Sequence, residues 1–240
     1  MSDGIILHIE TSAEICSVAL GVNGILADDI LDETPRSHAR VLTSLTEKLI
    51  TRNNLKMASL KAVAVSSGPG SYTGLRIGVS AAKGLAYGLN IPLIAVPTCE
   101  AMVYGMTKYS DALPPDVKGN RELWFCPVID ARRMEVYCAI YNKNTEQVMD
   151  VEAKVVNTGS FREILDKRPV LFFGSGAAKC LEIIKHKNAF FEPEFRPLAE
   201  HLLGGSWNRY QKREFEDMAY FEPYYLKDFI PTVPRNRLAL

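Results

Sequence analysis

Ser66 to Leu89 reads SSGPGSYTGLRIGVSAAKGLAYGL, with glycines at 68, 70, 74, 78, 84 and 88. Glycines at this density hold phosphates when their spacing lets backbone N–H groups close around an anion. A P-loop needs G-x-x-x-x-G-K-[ST], so that a lysine reaches the outer phosphates and a hydroxyl reaches magnesium. Here Leu75 stands where that lysine belongs, and the first lysine is Lys83. A dinucleotide fingerprint needs G-x-G-x-x-G and an acid on the next strand. Gly68, Gly70 and Gly74 give G-x-G-x-x-x-G, and the downstream run PLIAVPT has no acidic residue. Both phosphate motifs fail. What remains is the weaker signal of an anion site near Thr73, where a helix would begin.

Other chemistry is scarce. The four histidines, His8, His38, His186 and His201, form no H-E-x-x-H or other metal-ligand spacing. No G-x-S-x-G elbow is present, which argues against an α/β-hydrolase. Glu10 and Asp130 each end a strand at equivalent places, and in a duplicated nucleotide-binding fold such carboxylates would hold magnesium around ATP phosphates. The expected turn there is Asp-x-Gly-Thr, whereas this chain has IETS and IDAR. The two acids read equally well as stabilisers of tight turns. No catalytic residue, cofactor ligand or metal ligand is assigned.

The elements that carry these residues follow from periodicity. GIILHIE (4–10), ICSVALG (15–21) and GILADDIL read as strands joined by tight turns. PRSHARVLTSLTEKLITRN reads as a helix with Ser37 as N-cap, its stripe formed by His38, Val41, Leu42, Leu45 and Leu49. KAVAVSS is a strand, the glycine stretch is a loop and helix, IPLIAVPT is a strand, and a helix runs from about Thr98 to Tyr109. After the Pro- and Asp-rich segment 109–122, the order restarts. LWFCPVIDARRMEVYCAIYN is again strand, acid, turn, strand; VMDVEAKVV is a third strand, a helix lies near 160–167, and PVLFFGSGAAKCLEIIKH repeats strand, Gly-x-Gly, helix. The order suggests a degenerate duplication. We therefore expect an N-terminal lobe (1–108), a linker (109–122) and a C-terminal lobe (123–240). Towards the C-terminus, PLAEHLLGGSWNRYQKREFEDM reads as a helix broken at Gly204-Gly205.

On a regular helix, Gly74, Gly78, Ala81, Ala82, Leu85 and Gly88 share an arc of about 120°, with Arg76, Ser80, Lys83 and Tyr87 opposite. Each interior glycine costs about 1 kcal/mol relative to alanine. Close packing would compensate, because small residues at i and i+4 let two elements approach closely. Spacing does not say whether the neighbour is the chain's own sheet or a second polypeptide.

Composition bounds the rest. The chain has 240 residues, 47% hydrophobic and 23% charged, with 28 basic and 28 acidic residues. This is ordinary globular composition with no overall positive field for nucleic acid. The odd, scattered cysteines (16, 99, 126, 138, 180) read as buried thiols of a reducing cytosol. No stretch has the span of a membrane helix, so a cytoplasmic protein without membrane contact is expected.

Several stretches in order, ILHIETSAEICSVALG, SHARVLTSL, GPGSYTGLRIGVSAAKGLAYG, VIDARRMEVYCAIY, FGSG and EPYYLKD, resemble the TsaB (YeaZ) family. The run from Gly68 to Gly84 carries the most specific part of the likeness. Glu10 departs from that family's usual aspartate. The resemblance implies an α/β actin-like ATPase fold (ribonuclease H-like) of two similar lobes with mixed sheets. It implies no independent catalysis, but a partner role beside TsaD, with TsaE, in placing threonylcarbamoyl on adenosine 37 of tRNA. Contact with tRNA is then indirect, through the complex, and a homodimer is expected when the partner is absent. The family's partner surface uses two N-lobe helices, which map to His38–Ile50 and Gly74–Gly88. The residues assigned to that interface are His38, Val41, Leu42, Leu45, Leu49, Gly74, Arg76, Gly78, Ala81, Ala82 and Leu85. The resemblance implies no cofactor of the chain's own, and the sequence leaves open a nucleotide at the joint with TsaD. An ATPase or kinase-like enzyme on the same fold is the alternative, and a glycoprotease-like peptidase a weaker one.

Overall fold

In the computed structural model, which describes residues 4–108, 113–120 and 122–227, ten strands form two five-stranded sheets. In the first, β1 (Ile5–Glu10), β2 (Cys16–Val22) and β3 (Ile25–Asp32) form an antiparallel meander. On the other side of β1 lie β4 (Ala62–Ser66) and then β5 (Leu93–Val96), both parallel. The order is β3-β2-β1-β4-β5. The central strands are buried on both faces, which is why HIE aside they read as unbroken apolar runs, whereas the edge strand β3 alternates between exposed and half-buried.

The second sheet repeats this plan with β6 (Trp124–Asp130), β7 (Glu135–Tyr141), β8 (Gln147–Val155), β9 (Val170–Phe173) and β10 (Ala189–Glu192). Its order, β10-β9-β6-β7-β8, is the first order read from the other edge, with the same parallel and antiparallel neighbours. The duplicated, mixed-sheet α/β fold expected from the sequence is the fold observed. Helices fall at matching places: α1 (His38–Arg52) and α2 (Tyr72–Leu89) in the first repeat, a third helix α3 (Thr98–Lys108) between repeats, and the short α4 (Arg162–Leu165) and α5 (Ala177–Ile183) in the second.

Each sheet has two covered faces. Leu7, Ile9, Val63 and Val65 meet α1 and α2 through Leu45, Leu49, Val79 and Ala82. The reverse face, with Ile6, Ala62, Ala64, Ile94 and Val96, packs on Ala101 and on Leu202 from far along the chain. In the second sheet, Phe125, Ile129 and Phe173 pack on Cys99, Met102 and Met106 of α3, so α3 touches both sheets. All five cysteines are free and buried.

Two expectations need correction. The C-terminal third does not stay with the second lobe: a 3-10 turn (Ala199–Leu202) and α6 (Leu203–Lys212) return to cover the first sheet. There Leu202, Trp207 and Tyr210 join Ala101 of α3 in covering the sheet's apolar back face. Second, α6 runs unbroken through Gly204-Gly205. A Cβ at 204 would lie 2.3 Å from the Tyr104 ring, and one at 205 would lie 2.6 Å from Glu100 Oε1. These glycines allow α6 to approach α3; they do not end a helix. Arg209 then grips Glu100 with two bonds of 2.7 and 2.8 Å. Residues 109–112 and 121 of the expected linker lie outside the described residues.

From α6 the chain runs as a strap across the molecule. Glu216 N donates to Leu93 O (2.9 Å) and Tyr224 N to Ser67 O (2.7 Å). Tyr225 packs on Tyr72 with ring centroids 4.6 Å apart. Lys227 then pairs with Glu135 at the start of β7, so the strap joins the two lobes.

Candidate partner-binding site

α1 begins at His38, whose Nε2 bonds to Ala13 O at 3.0 Å and fixes the helix start to the β1–β2 turn. Ser37 precedes it but does not cap it: its hydroxyl donates to Asp32 Oδ1 at 2.7 Å. α2 is capped by Ser71, whose Oγ accepts from Gly74 N at 3.2 Å, and closes on Asn90 in the left-handed conformation. Both helices therefore have fixed ends. Their mutual angle is set by what lies beneath them.

Beneath α2 lies Thr11. A Cβ on Gly74 would sit 2.0 Å from Thr11 O, and a Cβ on Gly78 would sit 2.1 Å from Thr11 Oγ1. Thr11 Oγ1 donates to Gly74 O at 2.8 Å. These two glycines admit the chain's own β1–β2 turn, so they are closed to any second polypeptide. That corrects their assignment to the partner surface. Ala82, fully buried, goes with them, as do Leu45 and Leu49 of α1. His38 is buried and committed to Ala13.

The other edge of α2 is bare. A Cβ on Gly84 or Gly88 would meet nothing within 4 Å. Between this edge and α1 lies a groove of about 550 Å³, lined by Leu42, Thr46, Ile50, Met57, Ala81 and Leu85 among others. Of the residues assigned from sequence, the structure gathers Leu42, Ala81 and Leu85 here; Val41 is half-buried and Arg76 is exposed. Sequence reasoning missed Thr46, Ile50, Met57 and Gly84. The signal was the width of the small-residue arc, which exceeds what one neighbour requires. Its Gly74–Gly78–Ala82 side faces the sheet, and its Ala81–Gly84–Gly88 side faces out.

Glu10 is fully buried; Oε1 accepts from Ser12 N (2.5 Å) and Ser66 Oγ (2.9 Å), while Oε2 has no partner among the described residues. Burial pushes its pKa up, which favours the neutral acid. The loop before α2 packs directly on the β1–β2 turn: Ser71 N donates to Ser12 O at 2.7 Å, and a Cβ on Gly70 would lie 2.6 Å from the same oxygen. Asp130, in contrast, is open but bound by Lys179 Nζ at 2.6 Å and Arg132 N at 2.6 Å. His8 and His201 are lowered to about 4 by burial, so both are neutral near pH 7. Burial pushes the thiols of Cys16 and Cys180 up to about 12, far from a reactive thiolate. No helix among the described residues is long and apolar enough to cross a membrane.

Residues 31–226 match the family model described as TsaD: tRNA N6-adenosine threonylcarbamoyltransferase. The tRNA threonylcarbamoyladenosine biosynthesis protein TsaB of Escherichia coli (strain K12) is 35% identical over 139 residues, 58% of this chain and 55% of that protein. Its namesake in Bacillus subtilis (strain 168) is 32% identical over 174 residues, 70% of each chain. The chain thus spans about half the length of the first relative and more of the second. Among solved structures, YeaZ from Pseudomonas aeruginosa superposes with a TM-score of 0.77 at 24% identity, covering 93% of this chain and all of that one. The last likeness speaks for the fold.

Proposed function

The chain belongs to the TsaB family, and from that premise we propose that it is a noncatalytic partner subunit in tRNA threonylcarbamoyladenosine formation. In this reading it binds a TsaD-type transferase through the α1–α2 groove and holds it in a competent conformation. The single observation that carries the reading is the groove itself: an apolar trough beside a helix edge whose glycines leave the backbone bare. Two helices meeting there can approach to the short end of the usual 8–10 Å separation. A bare edge of this kind is costly for the isolated helix, since Gly84 and Gly88 gain nothing inside the lobe.

The state of the chain's own titratable groups supports placing the chemistry on the partner. Glu10, His8 and His201 are buried, which favours their neutral forms, and Asp130 is tied to Lys179. Substrate and metal chemistry then belong to the transferase, with a TsaE-type protein joining the assembly in the cytoplasm. When no transferase is present, a second copy of the chain covers the same groove. Gel filtration of the purified chain, alone and with the transferase, tests this. A shift to a shared, stoichiometric peak is expected, and titration calorimetry should give saturable binding. A chain that stays separate from the transferase, or turns over Mg-ATP by itself, would refute the reading.

A further inference from the structure

The duplication makes the β1–β2 and β6–β7 turns counterparts, and they have diverged in one respect. The first is sealed: Thr11 and Ser12 are buried under α2. The second is open: Arg132, Arg133 and Met134 are exposed. Arg132 and Arg133 both take left-handed backbone, φ 68° and 51°, a conformation that residues with a Cβ adopt only when their surroundings enforce it.

The surroundings do enforce it. Asp130 Oδ1 accepts from Arg132 N at 2.6 Å and from Lys179 Nζ at 2.6 Å. Lys179 also donates to Glu135 O at 3.2 Å, and Ala131 N reaches the same carbonyl at 3.1 Å. The Glu135 carboxylate is paired with Lys227 of the strap. Both acids of the turn are therefore neutralised by lysines from other elements. The guanidinium groups of Arg132 and Arg133 have no partner among the described residues. In a chain of zero formal net charge, this tip is a local cationic point.

We infer that the β6–β7 tip is a contact for the sugar–phosphate backbone of RNA, made by Arg132 and Arg133. The inference rests on the tRNA-modification reading above and extends it to direct contact by this subunit. Guanidinium forks match phosphate oxygens two donors at a time. Next to them in the turn, Met134 is also exposed and offers apolar surface to a sugar or base. The tip belongs to the second sheet, whereas the α1–α2 groove belongs to the first lobe.

The test uses the assembled complex of the chain with its transferase and a tRNA transcript, by filter binding from about 50 to 200 mM salt. The variant is Arg132→Asn/Arg133→Gly, whose residues accept left-handed backbone and so keep the turn. Loss of two phosphate contacts should lower the slope of log affinity against log salt by about 1.4–1.8, with roughly tenfold weaker binding. Arg132→Lys/Arg133→Lys should retain most of the slope. Transferase binding should be unchanged in both. Unaltered tRNA affinity and slope in the Asn/Gly variant would overturn the inference while leaving the partner reading intact. Loss of transferase binding with tRNA affinity retained would overturn it in favour of a protein contact. A wild-type chain that fails to bind the transferase would refute the underlying reading, and this inference with it.

Discussion

Thr11 and Gly78 are in contact at the point where a side chain on the helix would begin: Thr11 Oγ1 occupies a position 2.1 Å from where a Cβ on residue 78 would stand. The same hydroxyl bonds to Gly74 O at 2.8 Å. Gly78→Ala must push Thr11 away or lift α2 from the sheet, an overpacking error of about 1–3 kcal/mol. Gly74→Ala should be worse, because the atom in its way is the Thr11 carbonyl oxygen at 2.0 Å. Thermal melting should record a clear fall for both, and partner affinity should suffer only as far as α2 has moved.

Gly84 separates folding from association. Gly84→Ala should raise stability by about 0.5–1 kcal/mol, the usual gain for an exposed helix interior. Gly84→Gln should leave the melting temperature near wild type but fill the space into which a neighbour must come. Affinity for the transferase should then fall by at least about tenfold, some 1.4 kcal/mol. Parallel melting curves and calorimetric titrations would check both. Undiminished affinity in the Gln variant would move the interface elsewhere.

Glu10 predicts a pH dependence. Its folded pKa is raised by burial, so below the ordinary carboxylate value both folded and unfolded forms carry the proton. As pH rises, the unfolded chain ionises first, and stability falls through this window until the folded pKa is reached. Glu10→Gln keeps the Oε1 acceptor for Ser12 N and Ser66 Oγ and removes the titration. The variant should lack the part of the decline above the ordinary carboxylate value that Glu10 causes in the wild type. Denaturant titrations at several pH values would test it; equal slopes in both proteins would count against a neutral Glu10.

The strap should be loosened by Tyr225→Ser, which removes the ring packing on Tyr72, a contact of about 0.5–1.5 kcal/mol. Lys83→Met removes the bond to Phe221 O at 3.0 Å, another 0.5–1.5 kcal/mol or so. Limited trypsin digestion should cut the strap region faster in the double variant, with the sheets still protected.

The order of elements was legible because strand and helix periods differ, and the duplication was legible because that order repeats. The small-residue arc on α2 was legible too, but its division was not. Gly74 and Gly84 look alike in sequence, and only the position of Thr11, some sixty residues upstream in the chain, closes one and leaves the other open. Ser37 failed as a cap for the same kind of reason: Asp32 competes for its hydroxyl. Gly204-Gly205 suggested a break because glycine weakens helices, yet the pair is required by Tyr104 and Glu100, again distant in sequence. Local pattern identifies which residues are unusual. Tertiary neighbours decide what they are for.

The return of α6 to the first sheet has a consequence for biosynthesis. A ribosome releases the strands β1, β4 and β5 and the helix α3 early, but Leu202 and Trp207, which cover the sheet's back face, emerge roughly a hundred residues later. At about 5–20 residues per second that interval lasts some 5–20 s. During it the nascent protein exposes Ile6, Ile94 and Val96 to whatever holds unfinished chains, and the amino-terminal half matures only once the carboxyl-terminal segment has been made.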